Sequence, residues 1–172
     1  EISRGDWSSD VCSSDLTIDG GDGNDDIYGL AGADTLSGEA GDDYIEGGAG
    51  VDVIYGGDNN DTLDGGTEAD TLYGGDGDDT LEGGLGNDTL DGEGGRDTIS
   101  FAASSTGVDI TLNNAGAFIS VTFDGQTDLI KDIEVIEGTA QADTLTGNDA
   151  DNEFLGGDGD DTLIGGLGSD TL

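Results

Sequence analysis

A nine-residue period constrains this chain more than any other feature. From Gly20 the sequence divides into GGDGNDDIY, GLAGADTLS, GEAGDDYIE, GGAGVDVIY, GGDNNDTLD, GGTEADTLY, GGDGDDTLE, GGLGNDTLD and GEGGRDTIS, which fill residues 20–100 without insertion or deletion. Position one is always Gly, position six always Asp and position eight always Ile or Leu. A short fixed period marks a repeat architecture, in which each unit buries its apolar face only against its neighbours. A second block starts at Gly138 with GTAQADTLT, GNDADNEFL, GGDGDDTLI and the incomplete GGLGSDTL. Before the first block, Thr17-Ile18-Asp19 fits positions seven to nine of an earlier unit. Both ends are therefore expected to be cut, and the chain to be a fragment of something larger.

Within one unit, positions one to six are Gly-rich and carry no bulky side chain. Glycine permits positive φ and close backbone approach, so this part reads as a turn. Positions seven to nine place an apolar residue between β-branched, aromatic or polar ones, which reads as a three-residue strand with its middle side chain on one face. Two units return the chain to its starting side and make one coil of 18 residues, and coils stack at a spacing of about 4.8 Å. The expected fold class is all-β, a flattened parallel β-solenoid. Its interior is the column of position-eight residues Ile27, Leu36, Ile45, Ile54, Leu63, Leu72, Leu81, Leu90 and Ile99.

One apolar residue in nine makes a thin core, and the charge works against it. The chain has 41 Asp+Glu against 3 Lys+Arg and no His, a formal net charge of −38. Such a composition excludes nucleic acid, whose phosphates need basic partners. It disfavours an anionic membrane surface, and no apolar run is long enough to insert into a bilayer. Stacking gathers the position-six aspartates into two columns, one per edge: Asp25, Asp43, Asp61, Asp79 and Asp97 on one, and Asp34, Asp52, Asp70 and Asp88 on the other. Carboxylates repeating at roughly 5 Å repel strongly unless cations lie between them. Calcium prefers carboxylate and carbonyl oxygens, and Gly-rich turns free carbonyls for it. Columns of five and four allow about seven Ca2+ ions in the first block, each between adjacent turns. Because only the folded chain forms such sites, binding energy becomes folding energy. The corresponding metal candidates of the second block are Asp143, Asp161 and Asp170.

The pattern GGxGxDxUx resembles the RTX (hemolysin-type) calcium-binding repeat over residues 20–100 and 138–172. The resemblance implies a right-handed parallel β-roll. It also implies export from a Gram-negative bacterium by a type I secretion system, with folding on Ca2+ in the extracellular medium. Departures from the pattern mark expected weak sites. Position four is Asn59, Glu68, Gln141 and Ala150 in four units, and all but Asn fit the left-handed region poorly. Position two is Leu30, Glu39, Glu93, Thr139 and Asn148 in others, and position six is Asn152 in one. Calcium sites are expected to be weaker near Glu68 and weaker still near Asn152.

Residues 101–137 break the period. Val108–Leu112 alternates apolar and polar residues, Phe118–Phe123 does so in part, and both read as strands. Leu129, Ile130, Ile133, Val135 and Ile136 form a third extended apolar cluster. This β-rich insert is expected to bridge or cap the two blocks, with a ligand-binding patch as the alternative. Residues 6–16 read DWSSDVCSSDL and hold the only Trp and the only Cys. They resemble the translation of a short-read sequencing adapter, so 1–16 is set aside as artefact or disorder. The expected organisation is then 17–100 as the first roll, 101–137 as the insert and 138–172 as a truncated second roll.

No catalytic constellation is present in the sequence. Without His there is no zinc-protease motif and no Ser–His relay, and no GxSxG elbow occurs. Lys131, the only lysine, reads as a solvated surface residue. The fragment is expected to be non-catalytic, although missing domains can be enzymes. Position seven is often Thr (Thr35, Thr62, Thr71, Thr80, Thr89, Thr98, Thr144, Thr162, Thr171), which raises the alternative of an ice-binding or adhesive face. A further alternative is an accessory module of a secreted protease, lipase or polysaccharide-modifying enzyme.

Overall fold

The computed structural model describes residues 14–114 and 116–172, and the rest of the adapter-like stretch lies outside them. In chain order the strands are β1 (Thr17–Asp22), β2 (Asp26–Tyr28), β3 (Thr35–Ala40), β4 (Tyr44–Ala49), β5 (Val53–Asp58), β6 (Thr62–Thr67), β7 (Thr71–Asp76), β8 (Thr80–Glu82) and β9 (Thr89–Gly94). They continue with β10 (Thr98–Ser100), β11 (Asp109–Thr111), β12 (Ile119–Phe123), β13 (Gln126–Lys131), β14 (Val135–Glu137), β15 (Thr144–Thr146), β16 (Glu153–Leu155) and β17 (Thr162–Ile164). Among the described residues no helix is long and apolar enough to cross a membrane.

Successive strands of the first block alternate between two sheets. One runs β1-β3-β5-β7-β9-β13-β12 and the other β16-β14-β10-β8-β6-β4-β2, while β11-β15-β17 form a third. Pairing within the first block is parallel with equivalent positions in register, as in Leu36↔Ile54 and Ile54↔Leu72. The offset of 18 residues is two nonapeptides, so the chain is a parallel β-solenoid, as the period predicts. Every position-eight residue from Ile27 to Ile99 is buried, none above 5% exposed. The alternation seen along β5, with Ile54 in and Tyr55 out, follows from the strand pleat.

The strands are longer than three residues. Six of those between Thr35 and Gly94 run on through positions one to three of the next unit, so that Gly57 of β5 faces Gly75 of β7. The chain turns the corner while still paired, because position two sits at positive φ. In all nine units of 20–100, positions two and four both have φ between 64° and 157°. Glycine fills most of these places, but Leu30, Glu39, Asn59, Glu68 and Glu93 adopt the same region (φ 64–79°). A non-glycine residue there costs on the order of 1–2 kcal/mol, which the stacked neighbours over-determine. Glu68 thus keeps the turn shape that its side chain disfavours.

The insert continues the stack by other means. Strand β13 pairs in parallel with β9 and β14 with β10, so the coil over Thr89–Ser100 is built without a glycine turn. Strand β12 folds back antiparallel on β13 and ends that sheet. Strand β11 then provides the template for β15. Phe101 and Phe123 meet edge to face, 5.0 Å between centroids, and both belong to one continuous core with Val108, Ile110, Val121 and Phe154. At the other end, Ser14–Leu16, grouped by sequence with the adapter-like stretch, join the first coil. The Leu16 N–H donates to Asp34 Oδ1 (2.7 Å), and the Ala33 N–H donates to Asp15 Oδ1 (3.1 Å).

Candidate metal centre

The position-six aspartates point inward along the two edges. Asp34, Asp43, Asp52, Asp61, Asp70, Asp79, Asp88 and Asp97 are all at most 3% exposed. Each carboxylate divides its two oxygens between different tasks. Oδ1 accepts the backbone N–H of the aspartate one coil earlier. On the first edge Asp43 accepts from Asp25 (2.7 Å), Asp61 from Asp43 (2.8 Å), Asp79 from Asp61 (2.8 Å) and Asp97 from Asp79 (3.0 Å). On the second edge Asp52 accepts from Asp34 (2.7 Å), Asp70 from Asp52 (2.8 Å) and Asp88 from Asp70 (2.9 Å).

Oδ2 accepts nothing. In Asp25, Asp34, Asp43, Asp52, Asp61, Asp70, Asp79, Asp88 and Asp97 this oxygen is buried and has no donor. A buried acceptor without a partner costs its full desolvation energy, more for a charged group. Nine repeats of the same defect line the two edges with carboxylate oxygens that no protein donor reaches. The position-one glycine shows what surrounds it. A methyl group built on Gly65 would lie 2.7 Å from Gly83 O and 2.8 Å from Asp70 Oδ2. On Gly29 it would lie 2.6 Å from both Asp34 Oδ2 and Gly47 O, and on Gly47 2.6 Å from Asp52 Oδ2 and 2.8 Å from Gly65 O. Position one is therefore glycine because a side chain would fill the space between a carboxylate oxygen and a carbonyl oxygen of the next coil. Among the described residues no three acidic, His or Cys side chains converge on one point. A cation held here must draw on backbone carbonyls as well as carboxylates, which is the donor set of a hard divalent ion.

The electrostatics point the same way. Burial pushes Asp61, Asp70 and Asp97 up to about 7, against the pull of the donated N–H and with help from neighbouring carboxylates. Asp43, Asp52, Asp79 and Asp88 are raised by the same desolvation. Without a cation the columns hold their charge only at high cost.

The structure brings two further carboxylates into the columns. Asp128 Oδ1 accepts the Asp88 N–H (3.0 Å) and Glu134 Oε2 accepts the Asp97 N–H (3.1 Å). Asp128 is 1% exposed, and burial lifts it to about 7. Both residues carry the local signature of positions six to eight, Asp128-Leu129-Ile130 and Glu134-Val135-Ile136. That fragment of the motif was readable, and only the missing glycines hid it. Lys131 is not simply solvated. It pairs with Asp91 (2.8 Å) and Asp132 (2.9 Å) and lies 5.7 Å from the Phe118 ring centroid.

The second block differs from unit to unit. Asp161 Oδ1 accepts the Asp143 N–H and Asp170 Oδ1 accepts the Asn152 N–H, both at 3.0 Å. Asp143 itself has donors on both oxygens: Val108 N–H (2.8 Å) and Thr139 Oγ1 (3.0 Å) on Oδ1, and Thr139 N–H (2.7 Å) on Oδ2. The threonine ladder of the outer faces is broken in register. One face carries Thr35, Val53 and Thr71, and the other carries Asp26, Tyr44 and Thr62. Tyr55 stacks on Tyr73 (5.1 Å, 8°) beside the first, and Glu46, Asp64 and Glu82 align beside the second.

A family model for the RTX calcium-binding nonapeptide repeat (four copies) matches residues 17–36, 28–63, 37–72, 64–99 and 134–172. No curated protein matches the chain.

Proposed function

The chain belongs to the RTX calcium-binding nonapeptide repeat family, and from that premise we propose that residues 20–100 are a calcium-triggered folding module of a secreted bacterial protein. The observation that carries this reading is the set of nine buried, donor-free Oδ2 atoms. The residues that would hold the ions are Asp25, Asp34, Asp43, Asp52, Asp61, Asp70, Asp79, Asp88 and Asp97, with position-one carbonyls from the following coil. Asp161 and Asp170 offer the same side chain in the second block. Calcium supplies the positive charge that lets neighbouring carboxylates stand one coil apart.

The chain's own part is to shape and separate the sites. Glycine at position one leaves room, and positive φ at positions two and four folds the turn around that room. The Oδ1 hydrogen bond fixes each carboxylate so that Oδ2 faces inward. Five aspartates in one column leave four gaps and four in the other leave three, which gives about seven ions in this block. In low calcium the unscreened columns and the thin apolar stripe favour the open chain. Such a chain suits passage through a type I secretion channel, with folding in calcium-rich surroundings outside the cell. The module itself acts as a structural element and not as a catalyst.

The test is circular dichroism of the whole chain. Chelator is expected to give a coil spectrum and millimolar calcium a β spectrum, with calorimetry counting the ions. A metal-free sample at low salt that is already compact and melts cooperatively would contradict the reading.

A further inference from the structure

Two units depart from the repeat in a way that changes their chemistry. In 138–146 position two is Thr139 and position four Gln141, and in 147–155 they are Asn148 and Ala150. None of these four residues has positive φ, whereas the corresponding positions of every unit in 20–100 do. The left-handed region disfavours the β-branched Thr139, and the unit with Asn148 takes the same other turn. The oxygen pair is still in place: a methyl group on Gly138 would lie 2.5 Å from Asp143 Oδ2 and 2.9 Å from Gly156 O. What has moved is the position-two amide. The Thr139 N–H donates to Asp143 Oδ2 (2.7 Å), and the Asn148 N–H donates to Asn152 Oδ1 (3.0 Å). Asn152 Oδ1 stands beside Gly147 where the donor-free Asp Oδ2 lies elsewhere, and its Nδ2 is buried without a partner.

These turns are closed by their own donors. Thr139 Oγ1 accepts from the Gln141 N–H (2.9 Å), and Asn148 Oδ1 accepts from the Ala150 N–H (2.8 Å). Positive charge also reaches this part of the stack from side chains. Of the two basic residues among those described, Arg96 pairs with Glu153 of this coil (2.6 Å), and Lys131 ties β13 of the adjoining coil to Asp91.

We propose that the coil 138–155 takes no calcium, its position-six side chains being held by position-two amides instead. Asp143, although in register with the motif, is then a hydrogen-bond acceptor and not a metal ligand. With the apolar insert packed against it, this coil is a part of the stack whose position-six oxygens facing the turn are taken by protein donors. The proposal rests on the calcium reading of residues 20–100.

The test counts calcium on the whole chain by native mass spectrometry, alongside the calcium midpoint of folding. Asp143→Asn is expected to leave the count unchanged and the midpoint within about twofold. Asp61→Asn is expected to lose at least one ion and raise the midpoint several-fold. The double variant Thr139→Gly, Gln141→Gly restores left-handed turns and is expected to gain an ion; it is also the readout should Asp143→Asn fail to fold. An Asp143→Asn chain that loses an ion as Asp61→Asn does, or a double-glycine chain with no added ion, would overturn the proposal. An Asp61→Asn chain without effect strikes at the reading of 20–100 instead, so the two failures are distinguishable.

Discussion

Replacing Gly65 with Ala separates crowding from metal binding. Gly65 has an ordinary φ, so Ala meets no backbone strain there, but its methyl group enters the space between Asp70 Oδ2 and Gly83 O. If that space holds calcium, one ion is lost. At a free calcium concentration of 100 times the dissociation constant, one ion contributes about 2.7 kcal/mol. Restricting the unfolded chain returns about 0.4–1 kcal/mol, leaving a calcium-linked loss of about 2 kcal/mol, to which the contact with the Gly83 carbonyl adds a calcium-independent steric cost. For a chain of this size the calcium-linked part lowers the melting temperature by about 4–8 °C. The decisive quantity is the calcium dependence. Each bound ion makes stability rise by about 1.4 kcal/mol per tenfold calcium. Thermal melts monitored by circular dichroism across two decades of calcium are therefore expected to show a slope shallower by that amount. Gly94→Ala is the control, because its methyl would meet nothing nearer than 3.4 Å at an unstrained φ. A Gly65→Ala chain whose melting point falls equally at every calcium concentration would refute the reasoning, since steric cost alone is independent of calcium.

Two other outcomes are expected. The carboxyls of Asp61, Asp70 and Asp97 rise to about 7 in the metal-free roll from about 3.9 in the open chain. The metal-free roll therefore binds more protons than the open chain between those values, and its stability falls as pH rises through that window. Calcium needs the ionised form, so its addition near pH 6 is expected to release protons, and the folding midpoint to move to higher calcium as pH drops from about 7.5 to 5.5. A midpoint flat over that range would show that burial is not holding protons on these groups. In the core, Leu72→Ala removes a fully buried side chain and is expected to cost about 3–5 kcal/mol at saturating calcium by chemical denaturation. A loss below about 1 kcal/mol would mean that the position-eight column is not close-packed.

The solenoid was legible in the sequence because one position in nine must be apolar and one must be glycine, and both constraints repeat without slippage. Ile54 and Leu72 could be placed one above the other from spacing alone. The continuous pairing through positions one to three was not legible, since propensity assigns glycine to turns and only stacking keeps Gly57 in a ladder. The insert hid most. Asp128 and Glu134 extend the acidic columns, but the turn before Asp128 is Asp124-Gly125 and the one before Glu134 is centred on Asp132, so the nonapeptide spacing of glycines is lost while the geometry persists. Gln126 Nε2 donates to Gly84 O (2.9 Å), and Asp132 takes φ 51°. At Asp143 the motif was legible and its surroundings were not, because the Thr139 N–H takes the oxygen that in 20–100 has no donor.

The Oδ1 hydrogen bonds run both ways along the stack: position-five amides of Asp42, Asn60, Asp78 and Arg96 are received by Asn24, Asp42, Asn60 and Asp78 of the coil before, and position-six amides are received in the opposite sense. A coil's position-six amide is received by a carboxylate that belongs to the coil after it, never the one before. Each coil consequently offers side-chain acceptors to both of its neighbours. A coil laid down on the N-terminal side finds position-six acceptors already in position, and one added on the C-terminal side finds position-five acceptors there. A formed coil can therefore template the next one in either direction along the chain, like a zip with a slider at each end.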